Sequence, residues 1–234
     1  LPVILDEMHA DPNAVSYDGY NALDFAHSAN HTEVAQLLKP RVTGPFPDAA
    51  ALKKAEFENY QRYLTTWSQR KHLTSDVMLN IGYIYDSGQG AAQDYAKAMA
   101  WYRRAADQGN MVAQYNIGLL YANGEGVKHD YAEAAVWYRK AAEQGYAEAQ
   151  NNLSVLYQDG QGVQQDHGEA FVWMHKAAEQ GLSIAQSNLA AMYADGKGTK
   201  KNIAKARQWY KKAAEQGDEK AAEALKKLSV KPKA

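Results

Sequence analysis

The stretch Ala113-Gln114-Tyr115-Asn116-Ile117-Gly118-Leu119-Leu120-Tyr121, continued by Gly124-Glu125-Gly126, Asp130 and Trp137-Tyr138-Arg139-Lys140-Ala141-Ala142-Glu143-Gln144-Gly145, decides the fold because it recurs. Gly124-Glu125-Gly126 has counterparts in Gly88-Gln89-Gly90, Gly160-Gln161-Gly162 and Gly196-Lys197-Gly198, each 36 residues from the next. Trp101, Trp137, Trp173 and Trp209 keep the same step, as do Tyr85, Tyr121, Tyr157 and Tyr193, and the closing Gly109, Gly145, Gly181 and Gly217. A fixed period of this length marks an architecture of stacked repeats. Four units follow, 75–110, 111–146, 147–182 and 183–218. All six Pro lie outside residues 48–231, which leaves that stretch free to be helical.

Each unit reads as two antiparallel helices. In the second unit Ala113, Ile117, Gly118, Leu120 and Tyr121 lay an apolar stripe at helical spacing along helix A, and Gly124 follows where a helix end favours a left-handed residue. Asp130, with Glu133 three residues on, predicts a reciprocal capping box at the start of helix B. Helix B then runs through Ala134, Trp137, Tyr138 and Ala141-Ala142 to Gly145. Gly118, Ala134 and Ala141 are small enough for backbones to approach, while the Trp column and Tyr138 are expected to fill the space between helices. No single unit can bury these faces, so the units must stack.

The motif string resembles the Sel1-like repeat, a relative of the tetratricopeptide repeat, over the four 36-residue units. The resemblance implies an all-α fold, a right-handed α-solenoid of helix-turn-helix repeats. Departures are mild: Ser154 and Ala190 replace the small Gly of helix A, Met174 replaces one Tyr, and Asn202 replaces the capping Asp. Residues 219–234 repeat only helix A and then a tail, a polar end-cap.

The first third of the chain differs. Asp11-Pro12-Asn13, Asp18-Gly19-Tyr20-Asn21-Ala22-Leu23-Asp24-Phe25-Ala26 and Asn30-His31-Thr32-Glu33-Val34-Ala35-Gln36-Leu37-Leu38 resemble an ankyrin repeat preceded by part of another, over residues 1–40 and incomplete at its start. The chain opens at Leu1 rather than Met, so a start, and any signal peptide it carried, is expected to precede it. The ankyrin-like segment, marginal without caps, is expected either to lean on the rest of the chain or to follow further ankyrin units. Residues 41–74 read as a linker, Pro40 to Pro47, and a buttress helix of about 20 residues carrying Leu52, Phe57, Tyr60, Leu64 and Trp67 on one face.

Composition excludes several classes of function. The 234 residues are 46% apolar and 23% charged with a net charge of -1, which describes a folded chain with a core rather than a disordered one. A pI near 6.7 argues against nucleic acid as a partner. No apolar run reaches the roughly 18 residues of a membrane span. With no Cys, thiolate metal sites and Cys nucleophiles are absent. Ser68-Gln69-Arg70-Lys71 fits the S-x-x-K pattern of penicillin-recognising serine enzymes, but the Ser-Asp-Asn and Lys-Thr-Gly elements those enzymes need are missing. His27 and His31 stand four apart without the Glu or third ligand of a zinc site. The Gly-x-Gly loops follow helices, not strands, and lack the Lys-Ser/Thr of a phosphate loop. The expectation is therefore no catalytic residue, no metal and no cofactor.

Charge is unevenly placed. Residues 147–182 carry one Lys against five acids, whereas residues 183–234 carry 12 Lys or Arg against five. That end is expected either to be solvated or to meet an acidic partner.

One polar column stands out: Asn80, Asn116, Asn152 and Asn188. Asn costs roughly 0.5 kcal/mol relative to Ala inside a helix, yet it recurs in every helix A. By analogy with tetratricopeptide repeats, whose helices A line a concave groove, this column shares a face with the residues four before, three after and seven after. The candidate partner-binding face is Asp76, Asn80, Tyr83 and Ser87; Val112, Asn116, Leu119 and Asn123; Glu148, Asn152, Val155 and Asp159; Ile184, Asn188, Ala191 and Asp195. An amide both donates and accepts, so a ladder of them suits an extended peptide backbone; equally, each Asn could tie its repeat to the next. The resemblance implies a non-enzymatic scaffold or adaptor binding a protein or peptide, in many cases bacterial, with an inhibitor or immunity protein that occludes a toxin enzyme as the alternative. Neither cytoplasm nor bacterial periplasm is singled out, and nothing in the residues fixes the oligomeric state.

Overall fold

The computed structural model describes residues 49–70 and 72–229, so the ankyrin-like reading of residues 1–40, the pair His27 and His31, and Lys71 of the S-x-x-K pattern all lie outside the described residues. Ten helices and no strand occur among the described residues: α1 Ala49–Trp67, α2 Ser75–Ser87, α3 Tyr95–Asp107, α4 Met111–Asn123, α5 Tyr131–Glu143, α6 Ala147–Asp159, α7 His167–Glu179, α8 Ser183–Asp195, α9 Ile203–Glu215 and α10 Glu219–Ser229. The fold is an α-solenoid of helical repeats. Two compact units divide it, one ending at Ala98 and one beginning at Met99.

In the first unit the Thr74 hydroxyl accepts from the Val77 N–H at 3.4 Å to start α2, and Gly88 ends it at φ 73°. Met78, Ile81 and Ile84 are buried. The buttress face is rotated from its predicted setting. Tyr63, absent from the expected stripe, is buried, whereas Phe57 is 44% exposed. The reason is angular: Tyr60, Tyr63, Leu64 and Trp67 follow the i, i+3, i+4, i+7 rule among themselves, and Phe57 falls at the margin of the arc they define. Ser68 lies in the turn just beyond α1 rather than on it, its N–H bonded to Leu64 O at 2.9 Å.

In the second unit the pattern of caps repeats. Asn110 caps α4, its side chain accepting from Ala113 N at 2.9 Å. Asp130 caps α5, taking both the Ala132 and Glu133 N–H groups on Oδ1, and Asp166 does the same for Gly168 and Glu169 on α7. Asn202 manages one such bond, to Lys205 N at 3.0 Å. The reciprocal half of the predicted capping box is not made. The N–H that Glu133 would have satisfied is already bonded to Tyr121 O at 2.9 Å, and the same loop closure joins Asp166 N to Tyr157 O and Asn202 N to Tyr193 O.

Core side chains are small where helices cross and large beside them. Gly118 faces the Tyr138 ring so closely that a Cβ would stand 2.5 Å from it. One repeat later the pair is Ser154 and Met174, and Ser154 Oγ donates to Ala170 O at 2.5 Å. Ala134, Ala141, Ala149, Ala170, Ala177 and Ala185 are fully buried. The Trp column is less deep than its periodicity predicts: Trp173 is 8% exposed, but Trp101, Trp137 and Trp209 are only half-buried. Each ring instead keeps one face under a cation three residues along its own helix, with Arg104 at 4.1 Å, Lys140 at 3.8 Å, Lys176 at 4.0 Å and Lys212 at 4.1 Å. The aliphatic stem and charge of that residue shield the indole where no neighbouring helix does.

The last two repeats each meet the one before at the second glycine of their loop. A Cβ on Gly162 would overlap the backbone of Tyr131 and Ala132 at the start of α5, and one on Gly198 the carbonyl of His167 at the start of α7. Both glycines also sit at φ 68°. Gly145, at φ 98°, has open space around it. Alanine at 145 should therefore cost only the left-handed conformation, about 1 kcal/mol. Alanine at 162 adds overlap with backbone that cannot yield and should cost about 3 kcal/mol. Chemical denaturation of the two variants checks this ordering.

Candidate functional site

The proposed residues lie on α4, α6 and α8 of the second unit and, taken separately, on α2 of the first. In the first unit Asp76, Asn80 and Tyr83 are exposed, with Tyr83 at 47%, and Ser87 is exposed as well. In the second unit Val112, Asn116, Leu119, Glu148, Asn152, Val155, Asn188 and Ala191 are half-buried, and Asn123, Asp159, Ile184 and Asp195 are exposed. None of these residues is buried, whereas Ala113, Ile117 and Leu120 on α4, and Ala149, Leu153 and Leu156 on α6, are. Leu119 and Val155 lean against the core clusters that the second unit encloses, so their contribution to a surface is partial.

The Asn column splits. Asn188 Nδ2 donates to Asn151 Oδ1 at 3.3 Å, Asn151 Nδ2 to Asn152 Oδ1 at 3.0 Å, and Asn152 Nδ2 to Tyr115 OH at 3.4 Å. These amides form a line across three successive helices A, so two of them tie a repeat to its predecessor. Asn80 Nδ2 donates to Tyr63 OH at 3.4 Å within the first unit. The Asn116 side chain makes no hydrogen bond among the described residues. Within the second unit the sequence accounts for the pairings: 37 residues before Asn152 and Asn188 stand Tyr115 and Asn151, whose side chains are polar.

Tyrosines crowd this line. Burial raises the Tyr138 phenol far above its usual range and raises Tyr115 as well, and in both cases the Asn152 amide opposes the shift by favouring the ionised form. Glu148 adds to the rise at Tyr115 and at Tyr146, whose rings meet edge to face at 5.1 Å. At the far end burial raises the Tyr210 phenol, with Asp195 and Asp218 adding to it. The helix-A face is thus amide, phenol and carboxylate over a partly apolar floor.

A second amide series was missed in reading the sequence. Gln114, Gln150 and Gln186 are buried, and their carbonyls accept from Gln144, Gln180 and Gln216 at 2.7–2.8 Å. Gln150 also donates to Ala142 O at 3.0 Å and Gln186 to Ala178 O at 3.3 Å, so each side chain bonds forward within its repeat and back to the one before. The signal was present, since Gln114, Gln150 and Gln186 keep the step of 36, with Met78 in the first repeat, and Gln108, Gln144, Gln180 and Gln216 keep it through all four. A column buried on the core side of helix A braces the repeats and is closed to a partner.

Comparison with known proteins fits this geometry. The family model described as Sel1 repeat matches residues 75–110, 112–146, 147–182 and 183–218. A solved structure of a protective antigen present in uropathogenic Escherichia coli strains, displaying an SLR fold, is 41% identical over 72% of this chain and 35% of its own, with a TM-score of 0.65. The chain therefore spans about a third of that relative. A Sel1 repeat protein from Oxalobacter formigenes is 38% identical over 73% of this chain and 71% of its own, with a TM-score of 0.66. No curated protein matches the chain.

The divided Asn column predicts opposite responses to one substitution. Asn116→Ala should leave stability within about 0.5 kcal/mol, or raise it through helix propensity. Asn152→Ala removes a bond between repeats and strands Asn151, which should cost about 1–2 kcal/mol. Paired melting curves decide it.

Proposed function

The chain belongs to the Sel1 repeat family, and from that premise we propose that it is a non-catalytic scaffold holding a protein or peptide partner against the helix-A face of its second unit. Sel1 repeat proteins generally mediate protein–protein interaction. The observation that carries the assignment to this face is the free amide of Asn116, flanked on α4 by Val112, Leu119 and Asn123, which are half-buried or exposed, with Ile184 exposed on α8. A partner backbone can bond to such an amide without breaking any bond of the fold, and the flanking apolar groups have area left to bury. The outward face of helices B offers less: Val136 and Val172 are exposed singly between Glu133 and Lys140 or Glu169 and Lys176, an ordinary solvated pattern. The geometry does not favour the narrower reading, an inhibitor of one toxin enzyme.

Capture from native extract tests the face. Asn116→Arg with Ile184→Arg should lose the partner that the unaltered chain retains, while Val136→Arg with Val172→Arg on helices B should keep it, all three proteins melting alike. Retention by the first pair and loss by the second would move the interface to helices B.

A further inference from the structure

Charge in the second unit is segregated by helix. All sixteen Lys and Arg between Met99 and Ser229 lie outside α4, α6 and α8. They occupy helices B, as Arg139, Lys140 and Lys176 do, or the loops, α9 and α10. The three helices A carry carboxylates only: Glu148, Asp159 and Asp195. None of the three makes an ion pair or a side-chain hydrogen bond among the described residues. Some acids elsewhere find partners: Asp130 and Asp166 cap helices, Glu179 meets His175 at 3.4 Å, and Glu215 meets Lys211 at 3.7 Å. Chance scatter of sixteen cations would place several on 39 of 131 residues. A solvated face usually mixes both signs, so helices whose own side chains carry only one sign give this face a negative bias.

We propose that the partner segment held on the helix-A face is cationic, a polypeptide stretch carrying Lys or Arg between apolar residues. The inference rests on the preceding assignment of that face and narrows its partner. Glu148 and Asp159 lie at the two ends of α6, on either side of Asn152, and Asp195 ends α8, so cations of an extended segment that crosses these two helices can meet them. Half-buried Glu148 sits beside the Tyr115 and Tyr146 rings, where water is partly excluded and attraction is screened less than at an open surface. Val155 lies between Glu148 and Asp159 on α6 and exposed Ile184 opens α8, and both can accept the apolar residues of the segment. The phenols nearby present electron-rich faces that also favour a cation.

Three fluorescein-labelled twelve-residue peptides, each four copies of Leu-Lys-Ser, Leu-Gln-Ser or Leu-Glu-Ser, test this by anisotropy on the full chain. The Lys peptide should bind about tenfold more tightly than the Gln peptide, weaken with salt, and leave the Glu peptide behind both. The triple variant Glu148→Gln, Asp159→Asn, Asp195→Asn should bring the Lys and Gln peptides to within about threefold of each other. The control variant Glu133→Gln, Glu143→Gln, Glu169→Gln removes the same charge from helices B and should leave the Lys peptide unaffected. Equal loss in both variants would reduce the effect to net charge and overturn the proposal. Equal binding of Lys and Gln peptides, both weakened by Asn116→Arg, would overturn the cationic partner while keeping the face. Binding by no peptide would also overturn it, with the capture experiment still deciding the face. Self-association in sedimentation, abolished by the first triple variant, would replace the foreign segment with the Lys-rich end of a second copy.

Discussion

The second unit depends on one close approach, that of a loop glycine against the first turn of the helix B before it. Gly162 lies against Tyr131 and Ala132, and Gly198 against His167, with no room for a Cβ. Because each repeat touches only its neighbours, the geometry of that single joint sets the register of every helix that follows. The loop is stiffened from within by the bond from the capping residue's N–H to the carbonyl of the Tyr that ends helix A, as between Asp166 and Tyr157 at 2.9 Å. With the register fixed, the Gln150 and Gln186 amides can reach backward and forward at once, and buried Ala side chains suffice for a core.

The same register decides which groups remain for a partner. Once Asn152 and Asn188 are spent on Tyr115 and Asn151, the Asn116 amide is left over, and the carboxylates of α6 and α8 stand on a face with no cation. Cations are drawn to helices B instead, where Arg104, Lys140, Lys176 and Lys212 cover the indoles. Shielding the Trp column and clearing the helix-A face of positive charge are therefore two results of one distribution of Lys and Arg. The Arg103 and Arg139 guanidiniums, which donate to the Tyr121 and Tyr157 hydroxyls, follow the same rule.

Much of this was legible in the residues because periodicity is a global signal. A step of 36 shared by Gly, Trp and Tyr fixed the repeat, its two helices and its loops without any tertiary information. What the step could not convey was which way a recurring side chain turns. Trp recurs as faithfully as Ala134 and Ala170 do in their column, yet only Trp173 is buried, because a cation on the same helix can replace a packing neighbour. Asn recurs too, but its role depends on the residue 37 positions earlier, a relation between neighbouring columns rather than within one. The Gln columns were overlooked because a polar residue at a helical position reads as surface until its partner is seen. The capping box failed for a similar reason, since the Asp130 N–H was already engaged by a carbonyl nine residues before it.

Hydrogen exchange of the free chain, read at single amides, tests most directly whether the loop joint holds the second unit together. The amides of Asp130, Asp166 and Asn202 sit in loops and would exchange quickly were the loops mere connectors. If the joint governs the stack, they should be protected as strongly as the buried amides of Leu153 and Leu189 and should open with them in one cooperative step. Fast exchange at these three positions, with helix cores still protected, would show that the repeats hold together by helix packing alone.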